Sequence, residues 1–133
     1  MHASSEWKGG TQYEGGSESG HALLFDADAA HTTGPSPMET VLAALCACTS
    51  VDVVNILAKK RQPLSSLVVT AEAQQPAEAP RVFTKIHLTY RVGGADLSPK
   101  AVEDAVALSK DKYCSVSLML QNSVEFSYSI EYV

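Results

Sequence analysis

The hydrophobic and polar positions of this chain change period several times, and each change marks an element. From Gly34 to Arg61 the pattern is helical. Ser36, Pro37 and Glu39 form a start signal: a serine cap, a proline at the first helical position, and a glutamate that completes a capping box. Lys59, Lys60 and Arg61 close the other end, where positive charge suits the dipole, and Pro63 forbids continuation. Between them, Val41 to Cys48 is apolar on all sides, which predicts a buried helix. Some 25 residues would run to about 37 Å, against roughly 30 Å for a small domain. The helix is therefore expected to kink or to be covered partly from outside the chain.

Elsewhere the period is two. Glu6–Lys8, Thr11–Glu14 and His21–Phe25 read as short antiparallel strands separated by glycine turns. After Pro63, Leu67, Val69, Ala71 and Ala73 share one face. In the next run Val82, Thr84, Ile86, Leu88, Tyr90 and Val92 are expected to point inward, making a hairpin with a wet outer face. Ser98-Pro99 opens a second helix with Val102, Ala105, Val106 and Leu108 on its apolar stripe, ending near Lys112. Cys114 to Leu120 predicts a short third helix. Val124, Phe126, Tyr128, Ile130 and Tyr132 are the expected inward positions of a last strand. Three strands, a long helix, two strands, two helices and a strand indicate an α+β fold, in a single domain over residues 1–133.

Composition narrows the function classes. The 133 residues are 45% hydrophobic and 19% charged, as in ordinary globular chains. A net charge of −5 without a basic run argues against nucleic acid. The long helix, interrupted by Thr49, Ser50 and Asp52, reads as too short in its apolar part to span a membrane. No secretory leader is apparent, and three unscaffolded cysteines favour a reducing cytoplasm.

The thiols are the main candidate chemistry. Cys46 and Cys48 face about 200° apart on a helix and cannot pair with each other. Cys114 begins a helix, where the dipole should lower its pKa, helped by Lys110 and Lys112. Two readings stand: one helix cysteine and Cys114 meet as a redox pair, or all three pack as small hydrophobes. Glu39 is accounted for by the capping box and lies about 13 Å along the helix from Cys48. Asp52, one turn past Cys48, would raise a neighbouring thiol pKa or serve as the polar exit from the apolar run. His2, His21, His31 and His87 share no ligand spacing, so no metal site is expected. No phosphate-binding glycine loop or nucleophile elbow is present.

Ser36-Pro37-Met38-Glu39, then Val41 to Leu45 and Cys48-Thr49, resembles the P-x-E-L-x-x-A-A-L-x-x-C segment of the OsmC/Ohr family. Tyr113-Cys114-Ser115-Val116-Ser117 is similar to that family's C-P-V-S motif. Asp52-Val53-Val54 and Lys112 to Val116 look most like its YhfA-like branch. The resemblance implies an intertwined homodimer, with antiparallel sheets around the long central helix and sites at the interface. It also implies thiol-dependent reduction of organic hydroperoxides. Cys48 would be the peroxidatic thiol, Cys114 the resolving one and Glu39 an orienting carboxylate, with a dithiol reductant and neither metal nor organic cofactor. The sequence departs from the pattern in having no arginine before Arg61, in Met38 preceding Glu39, and in Ser115 at the usual proline. The alternative is a non-enzymatic member that holds a small lipophilic ligand in the dimer cleft; a purely structural or regulatory interaction protein is a third reading.

Overall fold

The structure, a computed structural model, describes residues 1–133. The chain divides into two compact units, Met1–Leu42 and Ala43–Val133.

The first unit is an antiparallel meander of β1 (Ala3–Gly9), β2 (Gln12–Ser17) and β3 (Ala22–Asp26). Gly9 and Gly10 make the first turn at φ of 105° and 56°, values that side chains other than glycine seldom adopt. The loop after β3 is organised by the Asp26 carboxylate. It accepts hydrogen bonds from the Asp28 N–H at 2.9 Å, the Thr11 hydroxyl at 2.7 Å, and the Thr33 hydroxyl and N–H at 2.8 and 3.1 Å. Those donors, the Asp28 N–H first, hold Asp26 well below the usual carboxylate range. The loop delivers the chain to α1 (Pro37–Lys59). There the expected capping box is formed: Ser36 N–H donates to Glu39 Oε2 at 2.7 Å, and Glu39 N–H to Ser36 Oγ at 3.1 Å.

The second unit holds the sheet β4 (Ser66–Gln74), β5 (Lys85–Gly93) and β6 (Glu125–Tyr132), with α2 (Pro99–Leu108) and α3 (Ser115–Leu120) between β5 and β6. β4 and β5 are antiparallel as expected. β6 lies parallel to β5, so this sheet is mixed rather than antiparallel. The reason is the connection: two strands joined through helices can be laid side by side in the same direction, as a tight hairpin cannot. Ile86, Leu88, Tyr90 and Val92 point inward as their alternation requires. The alternation does not extend back to Val82, which is exposed, while Phe83 is buried. The strand starts at Lys85, so the two-residue phase begins only there. On β6, an edge strand, Tyr128 and Tyr132 are 36% and 49% exposed, although their period marks them as inward.

α1 contributes one stripe to this unit: Leu45, Thr49, Val53 and Leu57, spaced by four and fully buried, with Thr49 bonded to Tyr90 of β5. The rest of the helix departs from its expected burial. Ala43, Ala44 and Ala47 are exposed, as are Val51 at 59% and Val54 at 43%. By length and composition α1 is in fact long and apolar enough to cross a membrane, so the sequence argument from its length does not hold. The same test is passed by core helices, and the buried stripe ties α1 into the second unit.

Candidate functional site: a thiol pair over a buried hydroxyl chain

Cys48 sits half-buried on α1, one residue before the buried Thr49. Cys114 is fully buried at the cap of α3. What brings it there is a single π-helical turn, Ser109–Tyr113, that follows α2. The Cys114 N–H closes that turn on the Ser109 carbonyl at 2.8 Å. Such wide turns recur at functional sites because they re-aim the residues that follow. The Cys114 thiol then accepts the Ser117 N–H at 3.4 Å and has the Cys48 side chain as a neighbour that acts on it. Of the two helix cysteines, Cys48 is the one whose side chain acts on Cys114; all three are free thiols.

The electrostatics differ from the sequence expectation. Burial pushes the Cys114 thiol up to about 12, assisted by the Cys48 side chain and the nearby Asp52 charge, with the Ser117 N–H opposing. The helix end does not prevail because α3 has only six residues and the sulfur is sealed from water. The expected help from lysines is also missing. Lys110 Nζ pairs with Asp111 at 2.6 Å, and Lys112 Nζ lies over the Tyr113 ring, 5.4 Å from its centre. Cys46 stays apart, its thiol also pushed up by burial.

Glu39 is engaged locally. Besides the cap it faces His31 Nε2 at 3.9 Å, and the Ser36 N–H, foremost, holds its carboxyl below the ordinary value. The imidazole of His31 is thus the basic side chain beside Glu39. No group of three or more His, Cys, Asp or Glu side chains converges as a metal site. His87, on the outer sheet face, lies between the Ser127 and Ser129 hydroxyls at 2.7 and 3.0 Å.

Beneath the thiols runs a feature that sequence reasoning missed. Tyr90 OH is 2.7 Å from Thr49 Oγ1, which is 2.7 Å from Ser109 Oγ, and Ser109 donates to Asp52 Oδ2 at 3.0 Å. Because Ser109 spends its proton on Asp52, it accepts from Thr49, which in turn accepts from Tyr90, so the chain runs Tyr90 to Thr49 to Ser109 to Asp52. Tyr90, Thr49 and Ser109 are fully buried, and burial pushes the Tyr90 hydroxyl up to about 12. Asp52 also lines a cleft of about 480 Å³ with Asn55, Ile56, Lys59, Lys60, Leu108 and Tyr113. The only sequence signal for this chain was the odd presence of Thr49 and Asp52 in an apolar run.

Comparison with known proteins decides the family. The family model described as OsmC-like protein matches residues 29–129. The chain belongs to the OsmC-like family. It is 44% identical to protein YhfA of Escherichia coli strain K12 over 133 residues, covering 100% of this chain and 98% of that protein. A structure solved by structural genomics is 42% identical, with a TM-score of 0.92 over 100% of this chain and 98% of the other. The organic hydroperoxide resistance protein OhrB of Bacillus subtilis shares the fold at 19% identity, with a TM-score of 0.68 over 98% of each chain. The OsmC-like order of elements and its long central helix are those described above.

Proposed function

We propose that this OsmC-like protein reduces organic hydroperoxides with the Cys48–Cys114 thiol pair. The observation that carries the reading is the approach of two free thiols, one half-exposed and one sealed, from segments 66 residues apart in the numbering. The Cys48 thiolate attacks the terminal peroxide oxygen. The O–O bond breaks, the alkoxide takes a proton and leaves as an alcohol, and Cys48 becomes a sulfenic acid. The Cys114 sulfur then attacks the Cys48 sulfur. Its proton leaves with the hydroxide as water, and a disulfide forms that an external dithiol reopens. Some fold relatives, such as that of B. subtilis, are organic hydroperoxide resistance proteins, which supports the reaction class.

In this reading residues 1–133 act as one domain, in a reducing cytoplasm, and a second copy of the chain covers the exposed apolar face of α1. Exposed Val51 and Val54 support that cover, since a soluble monomer gains nothing by leaving such a face wet. Glu39 would orient a group at the site from the partner copy, because its own Cys48 is out of reach along the helix.

The test is intact mass after one equivalent of cumene hydroperoxide. A loss of two hydrogens, mapped to Cys48 and Cys114 and reversed by dithiothreitol, is expected. An unchanged mass would overturn the reading. The alternative, binding of a lipophilic ligand without chemistry, has in its favour an apolar groove of about 520 Å³ that includes Tyr13, Phe25, Ala27 and Pro37. It predicts ligand retention by the Cys48→Ser variant.

A further inference from the structure

The thiol pair is held in register by groups that are not thiols. Ser109 has two attachments. Its carbonyl receives the Cys114 N–H, so the position of Cys114 follows that of Ser109. Its hydroxyl is bonded to Thr49 and Asp52, which lie one and four residues beyond Cys48 on α1. The path from one thiol to the other is thus short: α1 from Cys48 to Asp52, the Asp52–Ser109 bond, and the π-turn to Cys114. The far side of the turn is braced as well. The Lys110 carbonyl accepts from Ser117 Oγ and Gln121 Nε2, both at 3.2 Å. A hydroxyl-to-carboxylate bond is the strong member of this set, since charge assistance roughly doubles an ordinary hydrogen bond.

We propose that Ser109 and Asp52 are positioning residues for the thiol pair, the bond between them locking the π-turn so that the Cys114 sulfur meets Cys48. The inference rests on the thiol-pair reading above. It assigns a task to the Asp52 carboxylate through its bond to Ser109, and to a serine that nothing in the sequence pattern singles out. A wide turn without this strap has several ways to settle, and a displacement on the order of 1 Å is enough to lose reactive geometry.

The test uses glutathione rather than a peroxide, so that it does not depend on peroxidase turnover. In the full chain carrying Cys46→Ser, the two thiols are equilibrated with glutathione disulfide. Two electrons pass from Cys48 and Cys114 to the glutathione S–S bond. One protein disulfide forms, and the two thiol protons end on two glutathione thiols. The equilibrium constant measures how well the pair is placed. Ser109→Ala and Asp52→Asn are each expected to lower it at least tenfold at pH 7, while Ser109→Thr, which keeps the hydroxyl, stays within threefold of the parent. Circular dichroism establishes that each variant is folded. Equilibrium constants for Ser109→Ala and Asp52→Asn within twofold of the parent overturn the positioning role, even if both variants melt earlier. Absence of any Cys48–Cys114 disulfide in the parent chain overturns the thiol-pair reading itself, and the strap with it. The two failures are therefore distinct.

Discussion

Thr49 and Tyr90 meet hydroxyl to hydroxyl at 2.7 Å in a part of the core that no water reaches. Removing one partner leaves the other buried without a bond, which costs about 1–3 kcal/mol, whereas removing both with similar shapes is close to neutral. Thr49→Val is expected to lower unfolding stability by that amount and Tyr90→Phe by less, because Tyr90 is the terminal donor. In a double-mutant cycle read by urea denaturation, the combined variant should recover part of the Thr49→Val loss. Strict additivity would contradict the hydrogen-bond chain.

The alkaline limb of stability follows from two groups of one sign. The Cys114 thiol is pushed up from 9.0 to about 12 and the Tyr90 hydroxyl from 10.0 to about 12, chiefly by burial in both cases. Between the unfolded and folded values the unfolded chain binds fewer protons than the folded one. Stability from these groups is therefore complete below pH 9 and falls as pH rises through the interval to 12. Urea midpoints measured from pH 8 to 11 should decline, and Cys114→Ala should remove the part of the decline that begins first.

Accessibility gives a simpler check on the same pair. Cys114 is sealed and protonated at neutral pH, while Cys48 and Cys46 are half-buried. Under native conditions iodoacetamide should label Cys114 slowest of the three, and mass mapping should find it modified only as the protein unfolds. Early labelling of Cys114 would contradict its burial.

Asp26 governs the approach to α1 in the first unit. Its carboxyl is held down by its donors, so its contribution is present above the unfolded value of 3.8 and is lost as pH falls below it. Asp26→Ala is expected to open the segment from Asp26 to Thr33. Limited proteolysis should then cut this segment faster, with residues 43–133 unaffected in hydrogen exchange.

Much of this architecture could be read in advance, and the exceptions share a cause. Ser36, Pro37 and Glu39 announced the head of α1 because a capping box is local. The inward phase of Ile86 to Val92 was legible because alternation is local too. The π-turn escaped: an extra residue in a turn looks like continued helix, so α2 was expected to run to Lys112 rather than Leu108. The hydroxyl chain escaped because Thr49 meets Tyr90 across 41 positions and Ser109 across 60, and single hydroxyl residues carry no period. Family resemblance singled out Cys48 and Cys114, where helix geometry alone offered only a choice between Cys46 and Cys48. The dipole argument for Cys114 failed because it weighed a local field and could not weigh burial.

The exposed side of α1 makes its own prediction. If a second copy covers it, the native species runs at twice 14.1 kDa in light scattering. Val51→Glu, placing a charge at a 59% exposed position, should shift that species toward the monomer. A monomeric parent protein at micromolar concentration would remove the partner from the proposed function.

The parallel pairing of β5 with β6 sets an order of events in time. β4 and β5 can pair as soon as their hairpin has emerged, but β6 must wait until residues 94–124 have been made. Until then one edge of β5 presents unpaired backbone N–H and C=O groups, an open template for any extended strand nearby. The helical segment that carries Cys114 is threaded within that delay. A nascent chain stalled before Glu125 would therefore hold both thiols while its central strand remained half-paired, and aggregation during synthesis should concentrate in that window.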